Sequence, residues 1–422
     1  MKFYFDLVGC RVNQAEIEAY AADVLARGHE VSGRVEDADV AVLNTCTVTR
    51  EAERDSRSRA HWIAAQNPGV RVALTGCWVT LEPCRAAAAG GAEWLIPNAE
   101  KDRLVDRILG TAGPQIGPPP RTPLPGCRHR TRAFIKVQDG CENTCAYCVT
   151  RLARGPVRSR EPAGVVAAVR AAERGGAQEA VLAGIHLGAW GSDLDPAFGL
   201  ERLLGEVLAQ TRIPRIRLSS LEPWDLRPGF FRLWSDPRLC PHLHLPLQSG
   251  CAATLRRMAR RTTPDLFARL VEEARAAIPD LAVTTDWMVG FPGETSAEFR
   301  ESTAFVERMQ FARAHVFRFS ARPGTPAAHM KGVVPPAEAC RRAREARRLA
   351  DLAAASFAQR HVGREMDVLW DADPRAGEWR GLTGNYLSVH MRSKFPVGNS
   401  ITRVRITKGE NEWVNAMTPD QL

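Results

Sequence analysis

Three times within the first 80 residues an apolar run ends near a cysteine, and this recurrence limits the fold more than any other feature. Phe3 to Val8 leads to Cys10, Ala41 to Asn44 leads to Cys46, and Val72 to Thr75 leads to Cys77, with a helix-like segment after each. The cysteines lie 36 and 31 residues apart, a spacing that suits successive βαβ units. In an open parallel sheet the carboxyl ends of the strands share one edge, so three cysteines distant in sequence are expected to converge there. Residues 1–112 therefore read as an N-terminal open parallel α/β sheet domain.

Residues 113–130 are rich in Pro and Gly (GPQIGPPPRTPLPG) without apolar periodicity, which reads as an extended linker. From residue 131 the pattern becomes six strand candidates separated by helical stretches: Phe134–Val137, Ala180–Ala183, Arg215–Leu218, His242–Leu245, Ala282–Thr285 and His315–Phe319. Six β/α repeats predict a partial (β/α)6 barrel, with its site built from loops at the strands' carboxyl ends. The residues past those strands are polar: Cys141, then Gly184 and His186, Ser219, Ser220 and Glu222, Gln248 and Ser249, Asp286, and finally Ser320 and Arg322. Ala337 to Gln359 reads as a charged Ala/Arg-rich helix, either a connector packing across the barrel or a solvated face, and it completes a domain over 131–360. Residues 361–422 alternate in short strands (MDVLW, EWRGL, NYLSVHM, ITRVRIT), as in a small all-β barrel.

Cys141-Glu-Asn-Thr-Cys145-Ala-Tyr-Cys148 places three thiols in one short loop. Eleven cysteines scattered at random would give this triple roughly 0.006 times per chain, so chance explains it poorly. Soft thiolates select zinc, copper(I) or iron–sulfur centres. A closed structural zinc site takes four ligands, and near this loop in sequence only His129 offers a fourth. Three cysteines on a cubane of four irons leave one iron open to chelate a small substrate. Cys10, Cys46 and Cys77 form a second triple of the same kind, weaker by spacing alone because buried structural cysteines are common. Cys84, Cys127, Cys240, Cys251 and Cys340 share no placement and read as packing or surface residues.

The chain of 422 residues is long enough for several domains, each burying its own core. Met1 to Cys10 includes Asp6 and lacks a basic flank, and no stretch approaches the roughly 18 uncharged apolar residues of a membrane span. A cytoplasmic protein with reduced thiols and no membrane partner is expected. The excess of 57 Lys and Arg over 48 Asp and Glu, a formal charge of +9, suits a polyanionic partner.

The ordered motifs resemble the radical S-adenosylmethionine (SAM) methylthiotransferase family. They are Gly9-Cys-Arg-Val-Asn-Gln14, Asn44-Thr-Cys46, Thr75-Gly-Cys77, Gln138-Asp-Gly-Cys141 through Cys148, and Arg154-Gly155. Further on come Ala183-Gly-Ile-His186, Leu218-Ser-Ser-Leu-Glu222, His244-Leu-Pro-Leu-Gln-Ser-Gly250, Val289-Gly-Phe-Pro-Gly-Glu294 and Arg322-Pro-Gly-Thr325. The resemblance implies a radical SAM barrel between an N-terminal domain that binds an auxiliary cluster and a C-terminal RNA-binding barrel of the TRAM type. Trp379 through Tyr386 looks like part of that barrel. Within the family, Gly-Cys-Arg-Val-Asn-Gln and Val-Gln-Asp-Gly-Cys are most similar to the bacterial enzymes that methylthiolate N6-threonylcarbamoyladenosine in tRNA. The isopentenyladenosine and ribosomal-protein aspartate branches are the alternatives.

The resemblance implies two [4Fe–4S] clusters, one on Cys141, Cys145 and Cys148 that cleaves SAM, and an auxiliary one on Cys10, Cys46 and Cys77. Tyr147 is read as packing against the SAM adenine, and Gly184, Ser219, Glu222 and Gln248, by their position at strand ends, as candidates to hold its polar ends, while Asp286 and His186 read equally well as satisfied barrel-interior groups. The expected partners are a tRNA anticodon stem-loop and a low-potential electron donor such as flavodoxin or ferredoxin, with the enzyme a monomer. Residues 361–422 carry eight Lys/Arg and eight Asp/Glu, too balanced for a strong phosphate binder. Contacts to tRNA are therefore expected also from Arg151, Arg154, Arg158 and Arg160 and from Arg256, Arg257, Arg260 and Arg261. A non-catalytic iron–sulfur RNA-binding or redox-sensing protein is the reading from another class; it accounts for the cysteines and the charge but not for the polar strand ends.

Overall fold

The computed structural model describes residues 1–111, 131–195, 198–372, 374, 378–393, 395–410 and 413–417. The expected linker, with Cys127 and His129, lies outside the described residues. The chain forms two compact units, one of residues 1–143 and 148–213, the other of residues 144–147 and 214–422.

The first unit opens with β1 (Lys2–Leu7), α1 (Arg11–Ala26), β2 (Glu30–Ser32), β3 (Val40–Thr45), α2 (Arg50–Gln66), β4 (Arg71–Gly76), α3 (Cys77–Leu81), α4 (Pro83–Ala87), β5 (Trp94–Ile96) and α5 (Leu104–Leu109). The strands make one parallel sheet in the order β2-β1-β3-β4-β5. Side chains alternate across a strand, and both faces here are apolar. Phe3, Phe5, Val40, Val42 and Ala73 pack with Ile17, Tyr20 and Val24 of α1 and Leu104 and Ile108 of α5. Tyr4, Ala41, Leu43, Val72 and Leu74 face Ala60 and Ile63 of α2 and Trp78 of α3. Each fully buried aliphatic or Phe side chain contributes about 1.5–3 kcal/mol, so covering both faces is what makes this sheet stable. Thr49 starts α2 by accepting a hydrogen bond from the Ala52 N–H at 3.1 Å.

The same unit continues through β6 (Arg132–Lys136), β7 (Gln138–Asp139), α6 (Thr150–Arg154), β8 (Arg158–Ser159), α7 (Pro162–Arg174), β9 (Glu179–Ala183) and α8 (Leu200–Gln210). β6 pairs in parallel with β9, and β7 pairs antiparallel with β8. Ala15 of α1 packs with Phe134 of β6 and Val181 of β9, so α1 is buried on two sides.

The second unit contains β10 (Arg215–Leu218), β11 (His242–His244), α9 (Ala252–Arg257), α10 (Pro264–Ala277), β12 (Ala282–Val289), α11 (Ser296–Met309), β13 (Arg313–Arg318) and α12 (Pro336–Gln359). β11, β12 and β13 form a parallel sheet in that order. All six strand segments expected from residue 131 onward are therefore strands. Thr295 caps α11 with a reciprocal box: the Glu298 N–H donates to Thr295 Oγ1 at 3.2 Å, and the Thr295 N–H donates to Glu298 Oε2 at 2.8 Å. α12 is no solvated rod, because Ala343, Ala346, Ala350, Phe357 and Ala358 are buried.

The C-terminal strands β14 (Glu365–Trp370), β15 (Trp379–Thr383), β16 (Ser388–Met391), β17 (Ile401–Glu410) and β18 (Trp413–Met417) close into a barrel in the order β14-β15-β16-β18-β17. Two arginines of β10 clasp it. Arg215 donates to the carbonyls of Leu382 at 2.9 Å and Asp367 at 2.7 Å, and Arg217 donates to that of Gly384 at 2.9 Å. His242 stacks on Tyr386 with ring centroids 4.2 Å apart. No helix among the described residues is long and apolar enough to cross a membrane.

Candidate functional site

In the first unit, Cys10, Cys46 and Cys77 follow the carboxyl ends of β1, β3 and β4, three adjacent strands. Cys10 precedes α1 and Cys77 opens α3. Gly9 and Gly76 hold left-handed backbone, with φ of 125° and 100°, and a Cβ on Gly9 would sit 3.0 Å from Cys46 Cβ and 3.3 Å from its Sγ. The loops after β1 and β3 thus approach each other at their cysteines. Burial, together with the neighbouring Cys77 and Cys10, pushes the Cys46 thiol up to about 12, so without metal it stays protonated. Among the described residues no three His, Cys, Asp or Glu side chains meet where a single metal ion would sit. A cluster asks for something different, since each thiolate binds its own corner iron.

Two asparagines link these thiols to the end of α6. The Cys10 thiol donates to Asn13 Oδ1 at 3.6 Å, and the same oxygen accepts from Arg154 Nη2 at 2.6 Å. Asn98 Nδ2 donates to Cys77 Sγ at 3.7 Å and to the Ala153 carbonyl at 2.8 Å. Arg154 is 3 % exposed and also donates to Asp139 Oδ1 at 2.9 Å and Glu16 Oε1 at 3.2 Å. Lys101, 1 % exposed, lies 2.6 Å from Glu16 Oε1 and also bonds Asp139. Burial disfavours the Arg154 charge, but Glu16, Cys77, Asp139 and Cys10 hold the guanidinium protonated above its ordinary range. Glu16 also resists burial: Arg154, Lys136 and Lys101 hold its carboxyl down at about 2.

Cys141 and Cys148 are half-buried in this unit. Gly140, with φ of 73°, approaches the Pro156 carbonyl too closely for any side chain, and the Cys141 N–H then donates to the Gly155 carbonyl at 3.1 Å. Gly184 is similarly confined, since a Cβ there would meet Gln138 Oε1 at 2.9 Å. That oxygen accepts from the His186 N–H at 2.8 Å, and His186 Nε2 lies 3.4 Å from Asn143 Nδ2. Gly184 and His186 are therefore shaped by the packing of Gln138.

In the second unit, Thr144–Tyr147 is stitched in place through Ala146, whose N–H donates to the Met258 carbonyl at 2.9 Å and whose carbonyl accepts from the Ala327 N–H at 2.8 Å. Tyr147 packs edge-on against Phe291, with centroids 6.5 Å apart, in an apolar cluster with Met258, Met288 and Ala327. Arg260, 7 % exposed, donates to Cys145 Sγ at 3.7 Å, forks onto Glu222 at 3.0 and 2.7 Å, and lies 4.4 Å over the Trp224 ring. Against the effect of burial, Tyr147, Glu222 and Cys145 keep this guanidinium protonated above its ordinary range. Glu222 is thus committed to an arginine. Ser219 is buried, and Gln248 holds left-handed backbone at φ 72° with its Oε1 buried and without a hydrogen-bond partner among the described residues. An orphaned buried amide oxygen at a strand end fits a site that receives a ligand donor. Asp286 lies 3.4 Å from His244 and 3.5 Å from His315; burial opposes its charge, but these hydrogen bonds hold its carboxyl well below the usual range.

Two of the arginines expected at an RNA-facing rim are not there. Arg154 and Arg260 are buried and forked onto carboxylates, whereas Arg151, Arg158, Arg160, Arg256 and Arg261 are exposed. Arg257 is half-buried on Glu298 at 2.9 Å. Of the remaining cysteines, Cys84 and Cys340 are exposed and Cys240 and Cys251 buried. Sequence reasoning missed Asn13, Glu16, Asn98, Lys101 and Asp139 as parts of the surroundings; the motifs around Cys10 and Cys141 contained Asn13 and Asp139, but Asn98 and Lys101 carried no signal.

With this geometry in place, the relationships to other proteins are direct. The family model described as the Radical SAM superfamily matches residues 135–306, and that described as Uncharacterized protein family UPF0004 matches residues 2–94. The chain is a radical SAM protein. It is 35% identical to the threonylcarbamoyladenosine tRNA methylthiotransferase MtaB of Thermotoga maritima over 98% of this chain and 96% of that one. It is 32% identical to the ribosomal protein uS12 methylthiotransferase RimO of a Roseiflexus species, over 91% and 88%. The chain therefore belongs to the radical SAM methylthiotransferase family, and as such is an enzyme working with SAM and [4Fe–4S] clusters. The fold alone is shared with the radical SAM methyltransferase TsrM from Kitasatospora setae, at 14% identity and a TM-score of 0.54 over 77% of this chain and 76% of that one.

Proposed function

We propose that this enzyme inserts a methylthio group at C2 of N6-threonylcarbamoyladenosine 37, beside the anticodon of tRNA. Cys141, Cys145 and Cys148 hold the cluster that cleaves SAM, and Cys10, Cys46 and Cys77 hold the auxiliary cluster. The observation that carries this reading is the gathering of Cys10, Cys46 and Cys77 at the carboxyl edge of one parallel sheet, in a chain with a separate Cys-x3-Cys-x2-Cys loop. When bound, the clusters and SAM supply carbon-radical chemistry at one centre and a sulfur at the other.

The chain's own residues do the holding and excluding. Gln248 offers a buried amide oxygen to a SAM donor, and Arg260 fixes the carboxylate of Glu222 so that its orientation is set before a ligand arrives. The apolar cluster around Tyr147 keeps water away from the Cys145 segment. The choice of threonylcarbamoyladenosine rests on the Thermotoga maritima relative, which is the more similar of the two methylthiotransferases described above. In this reading residues 1–112 form the auxiliary-cluster domain, 131–360 the radical SAM barrel and 361–422 an RNA-binding TRAM-like barrel. The protein works as a cytoplasmic monomer fed by a flavodoxin or ferredoxin.

Mass spectrometry of tRNA nucleosides from a deletion strain tests the substrate: the 2-methylthio derivative of threonylcarbamoyladenosine should vanish and return on complementation. Its persistence, with loss of the modified aspartate in ribosomal protein uS12, would transfer the assignment to the ribosomal branch. Cys145→Ala should abolish 5′-deoxyadenosine formation, and Cys46→Ala should spare it while stopping methylthiolation.

A further inference from the structure

The buried arginine behind the auxiliary cysteines is not accounted for by holding the fold alone. Arg154 is the last residue of α6, which begins two residues after Cys148 and is about 7.5 Å long for its five residues. One helix end therefore stands beside two auxiliary cysteines while its start follows a cysteine of the other triple. The contacts are paired. Arg154 reaches Asn13, the acceptor for Cys10, and Asn98 ties Cys77 to the carbonyl of the residue just before Arg154. Arg154 Nη1 donates to both Glu16 and Asp139 while Nη2 donates to Asn13, and Lys101 braces the same two carboxylates. A cation fixed this way does not rearrange when charge nearby changes, which is the condition for a strong electrostatic effect in a dry site.

We propose that Arg154 is a positioning residue for the auxiliary centre: it sets a permanent positive charge behind Cys10 and Cys77 and thereby favours electron uptake by a cluster bound there. This rests on the assignment of Cys10, Cys46 and Cys77 as ligands. The step concerned is a one-electron reduction by the low-potential flavodoxin or ferredoxin donor, which is itself oxidised by one electron; no bond forms or breaks and the cluster's net charge becomes more negative by one. A nearby fixed cation stabilises the reduced form more than the oxidised form, and its removal should make reduction harder. Neutralising Glu16, an anion of the same network, should make it easier.

The test uses the full chain with Cys141, Cys145 and Cys148 all changed to Ala, so that only the auxiliary cluster remains, titrated anaerobically with dithionite and mediators and followed by electron paramagnetic resonance. Arg154→Gln should keep its iron but shift the reduced-to-oxidised ratio at fixed potential at least tenfold toward oxidised, equivalent to about 59 mV for one electron. Arg154→Lys, which keeps the charge, should restore most of that shift, and Glu16→Gln should move the ratio the opposite way. An unchanged potential in an iron-loaded Arg154→Gln protein overturns the proposal. So does an Arg154→Lys protein shifted as far as Arg154→Gln, because the effect would then be one of shape. If neither Arg154 variant folds, Glu16→Gln decides: a shift toward reduced supports the proposal, and none overturns it. Absence of iron in the parent triple variant would instead defeat the ligand assignment.

Discussion

Replacing Arg260 with Met is expected to be among the most destabilising single changes in the second unit. The guanidinium side chain is 1 % exposed and is forked onto Glu222, whose own side chain is 20% exposed. Removing one partner of a buried pair costs about 3–5 kcal/mol because the other charge is left uncompensated; partial exposure of Glu222 places this case near about 3 kcal/mol. Loss of the contact over Trp224, at 4.4 Å, adds about 0.5–1 kcal/mol. Methionine refills much of the volume of the arginine stem, so a cavity contributes little. A unit of this size loses about 2–4 °C of melting temperature per kcal/mol, which gives a fall of about 7–16 °C.

The assay is anaerobic scanning calorimetry of the full metal-free chain, following the transition that the substitution moves. The double variant Glu222→Gln with Arg260→Met removes the orphaned carboxylate and should recover about half of the loss, since neutralising both partners is far cheaper than stripping one. An Arg260→Met protein melting within about 2 °C of the parent would refute the reasoning, given the scale above. A double variant no more stable than the single one would refute it too, by showing that the loss came from packing.

Acid should strike the other buried network. Glu16 is held at about 2 against an ordinary 4.5, so its contribution is complete above about pH 4.5 and is lost as pH falls from there toward 2. Unfolding free energies from urea titrations between pH 6 and pH 3 should fall by on the order of 1–3 kcal/mol more in the parent than in Glu16→Gln, which starts lower but is flatter. Gly76→Ala, at φ 100° and in collision with the Thr45 carbonyl, should cost at least about 2 kcal/mol and reduce bound iron toward the level of Cys46→Ala, checked by iron analysis beside thermal melting. Thr295→Ala removes the capping box of α11 and should cost about 1 kcal/mol in urea unfolding without changing iron content.

Much of this architecture is legible in the sequence because its strands are apolar and its turns end in cysteine. β1, β3 and β4 are buried on both faces, so each reads as a continuous apolar run, and parallel pairing then brings Cys10, Cys46 and Cys77 to one edge. β2 and β5 do not read as strands: at three residues each on the sheet's two edges, they are too short for any periodicity to stand out, even though β5 is wholly apolar. β18 escapes for a related reason, following Gly-Glu-Asn-Glu with Asn415 in its middle, so no separate hydrophobic run announces it. Charge is the property least visible in one dimension. Arg154 finds Glu16 across 138 residues and Arg260 finds Glu222 across 38, and no local pattern separates these two from their exposed neighbours. The left-handed backbone of Gln248 likewise has no sequence signal, since it is fixed by the Asp286 carbonyl and the Met288 N–H on β12.

Each unit thus pairs a cysteine with a buried guanidinium that is itself held by a carboxylate, Arg154 with Glu16 and Asp139 in one, Arg260 with Glu222 in the other. The arrangement has a physical logic. Thiolates in a dry site repel one another and draw in protons, as the raised Cys46 thiol shows, so a cation is needed nearby before metal arrives. An arginine carries enough donors to hold a carboxylate and still reach the sulfur side, directly at Cys145 and through Asn13 at Cys10. The carboxylates make the cations more rigid and also offset part of their charge. The two groups carry opposite charge in one network, which is why neutralising Glu16 and neutralising Arg154 are expected to act in opposite directions on the same centre.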